Sequence, residues 1–564
     1  LIVYYLNSLI NIKKIEIMDI SKLKTSRHKE EQLEQLSPFE LKDNLINLAS
    51  DQQKKPVKTM LNAGRGNPNW IATTPREAFF TLGQFGIEEC RRAMNKPEGM
   101  AGIPQKEGIG KRFEDFLEKN KQLPGIELLK NTYKYGIEKH GYQSDEWVHE
   151  LAEGIIGDQY PNPVRILKHV EPIVHDYLIQ EMCGNNPQRN GKYDIFAVEG
   201  GTAAMCYIFD SLVENGLLKK GDKIALGVPA FTPYLEIPEL ARYQFKVTYI
   251  HGSAKDKDGN SNFQYPDEEL DKLGDKSIKA FFIINPSNPT SVEISDKSRK
   301  YLVKVVKNLN PNLMILTDDV YGTFVEGFNS LMNELPQNTL CVYSFSKYFG
   351  ATGWRLGVIA LYEDNIYDKM LSAVPEKEKE RLAKLYESLT LYPEKLKFID
   401  RLVADSRQVA LNHTAGLSLP QQIQMMLFAS FALLDKENKY KKVCNDLIHT
   451  RYNLLWEGMG MPIISDPERA AYYCEIDIHE WALKNFDKDF VTFLEKNFEP
   501  VDIVFRLAEK SSIVLLNGGG FAGPEWSVRV SLANLEDNDY SIIGKELSET
   551  MQEYVEAWKS EKNK

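Results

Sequence analysis

Cysteine is scarce in this 564-residue chain. Its six residues, Cys90, Cys183, Cys206, Cys341, Cys444 and Cys474, lie far apart with no C-x-x-C pair. That spacing argues against a disulfide frame or thiolate metal site and reads as reduced thiols in a cytoplasmic protein. The nine histidines form no ligand-spaced cluster, so no metal site is expected. An excess of basic charge is missing too. Against 80 acidic residues stand 69 Lys and Arg, a net charge of −11 spread along the chain, which argues against nucleic acid or an anionic membrane as partner. The apolar start, Leu1 to Ile10, imitates a signal-peptide core but lacks a preceding basic segment and a following small-residue cleavage site. It is also far too short to span a bilayer. Met18 opens a more ordinary polar sequence, so residues 1–17 read as a cloning or translation artefact.

What is present is an ordinary globular composition, 43% hydrophobic and 26% charged, in a 64.5 kDa chain too long for one core. Two domains plus extensions are expected. Residues 19–50 are charged and helix-prone, an arm that packs on something larger. Asn62-Ala-Gly-Arg-Gly-Asn-Pro-Asn-Trp70 cannot be regular helix or strand, and its single charge, Arg65, fits a structural turn as well as a binding loop. Residues 75–150 are helical in outline and contain a glycine-rich stretch, Gly99 to Gly110, to which no chemistry can be assigned. A turn at Gly157–Pro163 leads into a helix through about Met182.

From Asp194 the rhythm becomes short strands alternating with helices, the pattern of a parallel sheet with crossovers. The strand ends share one property: each carries residues poorly suited to a core. Gly200-Gly201-Thr202-Ala203 opens a helix whose free N–H groups can hold phosphate, though a plain strand–helix turn would look the same. Phe231 follows the strand at Lys223–Gly227 and could stack on a flat ligand or simply join the core. Asn288 lies in a turn stiffened by two Asn-Pro steps. Asp318 and Tyr321 follow the strand at Leu313–Thr317, where ligands bind in open α/β sheets. The fifth strand leads to Ser344-Phe-Ser346-Lys347-Tyr-Phe-Gly-Ala-Thr-Gly-Trp-Arg355-Leu-Gly357. Small hydroxyl residues, one lysine and glycines make a loop suited to holding an anion, and a lysine that attacks a carbonyl needs such a partly desolvated setting. A surface lysine in a serine-rich loop is the plainer explanation of that stretch alone. Residues 364–400 read as highly charged helix. A second unit begins beyond Tyr440 and closes on an alternating strand, Trp526 to Leu532, that contains Arg529. An arginine inside a strand needs an anion, best a carboxylate, unless it makes a surface salt bridge.

Taken together and in this order, the motifs from Gly64 onward resemble the class I/II aminotransferase-like enzymes that use pyridoxal 5′-phosphate (fold type I). The resemblance implies an α/β fold, a large domain with a mainly parallel sheet and helices on both faces plus a smaller α+β domain. Its expected boundaries are an arm at 1–60, a segment at 61–155 contributing to the small domain, a cofactor domain at 156–410 and a C-terminal small domain at 411–564. By the match Lys347 would carry the cofactor. Ser344, Arg355 and the Gly201-Thr202-Ala203 backbone would hold its phosphate, Ser346 would also bind the cofactor, and Asp318 would pair with the ring nitrogen. Tyr321 and Asn288 would bond the ring's phenolic oxygen, Phe231 would stack on the ring, and Arg529 would take a substrate α-carboxylate. Tyr160 would reach the phosphate site of a neighbouring subunit. Ser291 stands where the family has glycine, which is expected to change only a turn.

The chain's length, Asn62 to Trp70 and the Phe79-Phe-Thr-Leu-Gly-Gln-Phe-Gly region resemble the branch that removes the β-carboxylate of aspartate. That implies L-aspartate and α-keto acids as ligands, alanine and carbon dioxide as products, aminotransfer as a side activity and a homo-oligomer. Aspartate aminotransfer is the alternative, and a ligand sensor without turnover is a third reading. The β-carboxylate is expected to be held loosely, with Arg65 orienting it.

Overall fold

The computed structural model describes residues 30–34, 36–52, 60–184, 191–257, 259–407, 416–463 and 466–563. The start of the chain, with the expected artefact at 1–17, lies outside them. The described strands in chain order are β1 (Leu61–Asn62), β2 (Tyr193–Val198), β3 (Lys223–Val228), β4 (Lys246–His251), β5 (Ile278–Ile284), β6 (Met314–Asp318), β7 (Thr339–Ser344), β8 (Gly357–Tyr362), β9 (Tyr473–Asp477), β10 (Ile513–Val514), β11 (Leu516–Asn517) and β12 (Ser527–Ser531).

Strands β2 to β8 form one seven-stranded sheet in the order β2-β8-β7-β6-β5-β3-β4. The pairings from β7 through β6, β5 and β3 to β4 are parallel, and β8 runs antiparallel to both β7 and β2. The sequence pattern marks neither β4 nor β8. Alternation explains why both faces are covered: Ala280, Phe282 and Ile284 bury in one core, while Phe281 and Ile283 bury in another. Helix Gly201–Glu214 adds Ala204, Met205 and Ile208 to the first core. Helix Asp296–Leu309 adds Leu302, Val305 and Val306 to the second. Because four neighbours are parallel, Val228, Ile284, Asp318 and Ser344 end at one edge, where polar loop residues collect.

A smaller antiparallel sheet, β11-β12-β9, stands with helices Lys439–Gly458 and Asp537–Lys562. The N-terminal segment joins this unit. Its β1 pairs in parallel with β10, and helix Pro38–Gln52 lies against helix Asp502–Ser511. Between arm and sheet, helices Thr74–Ala93, Ile109–Lys119, Ile126–His140 and Ser144–Ile156 gather, and three of the four contact the apolar helix Leu419–Leu434. The glycine-rich stretch there has a local cause: Gly108 and Gly110 N–H groups donate to the Asp145 carboxylate at 2.8 and 2.9 Å.

Candidate active site

The loop between β7 and β8 carries Lys347. Its ammonium donates to the Gly66 carbonyl at 2.9 Å, bringing the early glycine-rich turn against the sheet edge. Gly66 is required here by contact: a Cβ on it would lie 2.8 Å from the Tyr473 hydroxyl and 3.2 Å from Lys347 Nζ. The same carbonyl accepts from Tyr472 Oη at 2.9 Å.

Asp318, at the end of β6, is buried and accepts from Tyr234 Oη at 2.7 Å. Burial pushes its carboxyl up to about 6, while Tyr234, the Val320 N–H and Lys347 pull it down. Its neighbour Asp319 points elsewhere, into a buried set of Thr317, Ser330 and Cys341 donors that holds the turn after β6.

Beside Asp318 begins helix Gly201–Glu214, whose first-turn N–H groups lack intrahelical partners. Gly200 has φ +97, and a side chain there would meet Arg355 Nη2 at 2.6 Å. Glycine therefore lets Arg355 lie against the helix start. Arg355 itself holds a left-handed backbone, φ +54, a strained state for a non-glycine residue of the kind found where ligands bind. Ser344 donates to Ser346 at 2.9 Å nearby.

Arg529, on β12, is only 1% exposed, yet no carboxylate stands within 4 Å of it among the described residues. Its donors go to Asn288 Oδ1 at 3.2 Å and Gly64 O at 2.9 Å, and its Nε has no partner. Aromatic faces enclose it: the guanidinium sits 4.4 Å from the Tyr473 ring and 5.0 Å from Phe521. A buried arginine without an anion is costly, and its free edge fits an incoming carboxylate.

These groups surround one cavity of about 510 Å³. It brings together Arg65, Gly201, Thr202, Phe231, Asn288, Asp318, Tyr321, Ser344, Ser346, Lys347, Arg355 and Arg529. Ala203 does not line it, although it belongs to the helix's first turn. Tyr160 lies elsewhere in the chain, 67% exposed on a separate cavity with His149 and His169. Sequence reasoning missed Phe39 and Lys42, which helix Pro38–Gln52 delivers to the rim, and also Tyr234 and Tyr473. The helix's leucine spacing marked only a packing arm, because Phe39 and Lys42 lie on its other positions. One expectation needs correcting. Ser291 changes more than a turn: at φ +59 it is buried, and its hydroxyl accepts the backbone N–H groups of Tyr472 and Tyr473 at 3.0 and 3.1 Å.

A model of the family described as aminotransferase class I and II matches residues 197–543. The chain is also 47% identical over 529 residues to a Pseudomonas protein named bifunctional aspartate aminotransferase and L-aspartate beta-decarboxylase, covering 94% of this chain and 98% of that one. The chain belongs to the class I and II aminotransferase family. Another member, an aspartate aminotransferase of Pyrococcus horikoshii, is 30% identical over 151 residues, 26% of this chain and 36% of its own. Among solved structures, aspartate aminotransferase from Thermus thermophilus with maleate has a TM-score of 0.54 at 15% identity, covering 90% of this chain and 96% of that one. That likeness is one of fold, the pyridoxal-phosphate fold type I with its mainly parallel central sheet.

The family's cofactor is pyridoxal 5′-phosphate, and the residues present fit it. The cavity offers a lysine for the aldehyde, a buried carboxylate for the ring nitrogen and an aromatic face in Phe231. Unpaired helix amides with Arg355 and two serines suit the phosphate. Lys42, Arg65, Lys347, Arg355 and Arg529 line it against one carboxylate, Asp318, so the cavity favours anionic ligands.

Proposed function

We infer that this chain is a pyridoxal-phosphate carboxy-lyase that converts L-aspartate to L-alanine and carbon dioxide, with aminotransfer as a side activity. The 47% identity across nearly the whole of both chains carries this reading. The cavity supports it by offering separate cations for two carboxylates. Arg529 takes the α-carboxylate in its buried aromatic box, and Arg65, exposed at the rim, orients the β-carboxylate without clamping it.

When bound, the cofactor acts as an electron sink for bonds broken at the substrate's carbons. Lys347 would carry it, and its free amine would remove and return the proton at the α-carbon. Asp318, fixed by Tyr234, holds the proton on the ring nitrogen. Tyr321 and the amide nitrogen of Asn288, whose Oδ1 serves Arg529, orient the ring's oxygen. Gly201, Thr202, Ser344, Ser346 and Arg355 would take the phosphate, Ala203 would add to it only the first-turn backbone behind them, and Phe231 would cover the ring. The enzyme works in the cytoplasm as a homo-oligomer with α-keto acids as second ligands, and Tyr160 serves a neighbouring subunit's phosphate. No helix of the described residues is long and apolar enough to cross a membrane.

Incubating protein, cofactor and aspartate without any keto acid tests the reading. Sustained alanine and carbon dioxide are expected. A single stoichiometric release of oxaloacetate would instead make it an aspartate aminotransferase.

A further inference from the structure

Losing carbon dioxide leaves the β-carbon in need of a proton, and none of the residues assigned above supplies it there. We propose that Tyr473 is the acid that protonates the β-carbon of aspartate. The proposal rests on the β-decarboxylation read above and makes Tyr473 a catalytic residue of that branch of the chemistry alone.

Two contacts, together with the role proposed for Arg65, put its hydroxyl on the path of the β-carbon. The Tyr473 ring stands 4.4 Å from the Arg529 guanidinium, so the residue flanks the α-carboxylate site. Its hydroxyl and Lys347 Nζ converge on one spot beside the bare Cα of Gly66, so it also flanks the group that serves the α-carbon. Gly66 is joined directly to Arg65, which orients the β-carboxylate. A four-carbon amino acid held by Arg529, with its α-carbon at Lys347 and its far end toward Arg65, carries its β-carbon past this hydroxyl.

The hydrogen bonding suits a donor. Tyr321 donates its own hydrogen to Tyr473 Oη at 3.1 Å, which leaves the Tyr473 hydrogen free to go elsewhere. In the step, the bond from the β-carbon to its carboxylate breaks and leaves the electron pair on the carbon side. The Tyr473 O–H bond then breaks, and its proton forms the new C–H bond. The phenolate, which lines the cavity, regains its proton from water entering there, so one proton is consumed for each aspartate that becomes alanine and carbon dioxide. Two hydrogen bonds to the strained Ser291 fix the backbone that aims it. Aminotransfer needs no such proton, because the β-carboxylate stays on.

Tyr473→Phe in the holoenzyme tests this, since the ring over Arg529 is kept. Alanine and carbon dioxide formation is expected to fall about 100-fold, the usual worth of a general acid. Oxaloacetate release in a single half-reaction, the aspartate KM and the calorimetric affinity for maleate, a dicarboxylate that cannot react, should change by less than about threefold, well short of the general-acid effect. The product ratio thus turns toward aminotransfer. An equal fall in both reactions, or undiminished alanine, overturns the proposal. Ser291→Gly, which keeps the phenol but removes its backbone anchor, should move the ratio the same way by a smaller factor. An unchanged ratio there, should Tyr473→Phe not fold, also overturns it. If the unaltered enzyme makes no carbon dioxide, the decarboxylase reading itself has failed, and that result is distinct from any change in ratio.

Discussion

Tyr234 donates its phenolic hydrogen to Asp318 Oδ2 at 2.7 Å, and both side chains are buried at the carboxyl edge of the central sheet. Burial lifts Asp318 from the ordinary 3.8 to about 6. Its folded value lies above its unfolded one, so the ionised group costs stability in the empty protein above about pH 6. That cost fades as the pH falls through 6 toward 3.8. Cofactor affinity runs the opposite way, because only the carboxylate pairs with a protonated ring nitrogen. Pyridoxal phosphate is expected to bind more weakly below about pH 6, and Tyr234→Phe, which removes a bond that favours the carboxylate, should move that midpoint upward. Absorbance titrations of the apoprotein across the acid range check it, and an unmoved midpoint in the variant counts against Tyr234 acting through Asp318.

Lys347→Ala should abolish covalent attachment of the cofactor and lower turnover by at least about 1000-fold, since one side chain carries the cofactor and moves the α-proton. Borohydride reduction followed by peptide mapping should find the cofactor on the peptide containing Lys347 in the unaltered protein and on no peptide in the variant. Attachment at another lysine would sink the assignment.

Arg65 is exposed at the rim with no carboxylate within 4 Å among the described residues, which leaves it available to a ligand. Arg65→Ala is expected to raise the aspartate KM about tenfold, the worth of a solvent-screened charge pair plus its hydrogen bond. With alanine as amino donor to a keto acid there is no distal carboxylate to lose, so that KM should hardly change. Equal effects on both donors would place Arg65 in a structural role instead.

The cavity's floor was legible in the sequence because chemistry there sits at strand ends. Asn288, Asp318, Tyr321 and Lys347 each follow an apolar run, and turn residues cannot hide in a periodic pattern. Its walls were not legible. Phe39 and Lys42 come from a helix whose leucines mark only its packed face, and Tyr473 begins an edge strand of another sheet, so only tertiary packing places them. The strand β8 was missed because its apolar run starts two residues after Arg355, within what reads as a single glycine-rich loop. Ser291 shows the opposite lesson. A departure from the family's glycine looked neutral in the sequence, yet its hydroxyl is what ties the turn to Tyr472 and Tyr473.

Arg529 brings stability and binding into conflict. Burial disfavours its charge, and the residue facing it across the strand pair does not neutralise it: Glu475 is itself pushed up to about 8 by burial and carries its proton at neutral pH. The empty protein therefore holds an uncompensated buried cation, which is destabilising, and a carboxylate ligand relieves it. Arg529→Met, of similar length and apolar, is expected to raise the melting temperature of the ligand-free protein by about 1–3 °C while raising the aspartate KM about 100-fold, the loss of one buried charge-assisted pair. Asn288 Oδ1 and Gly64 O, freed by the change, line or border the cavity and can bond to water instead. The discriminating measurement is a pair of melts with and without maleate. The unaltered protein should gain stability from maleate and the variant should gain little. A variant that melts lower than the unaltered protein without ligand would show that Arg529 holds the fold rather than waiting for substrate.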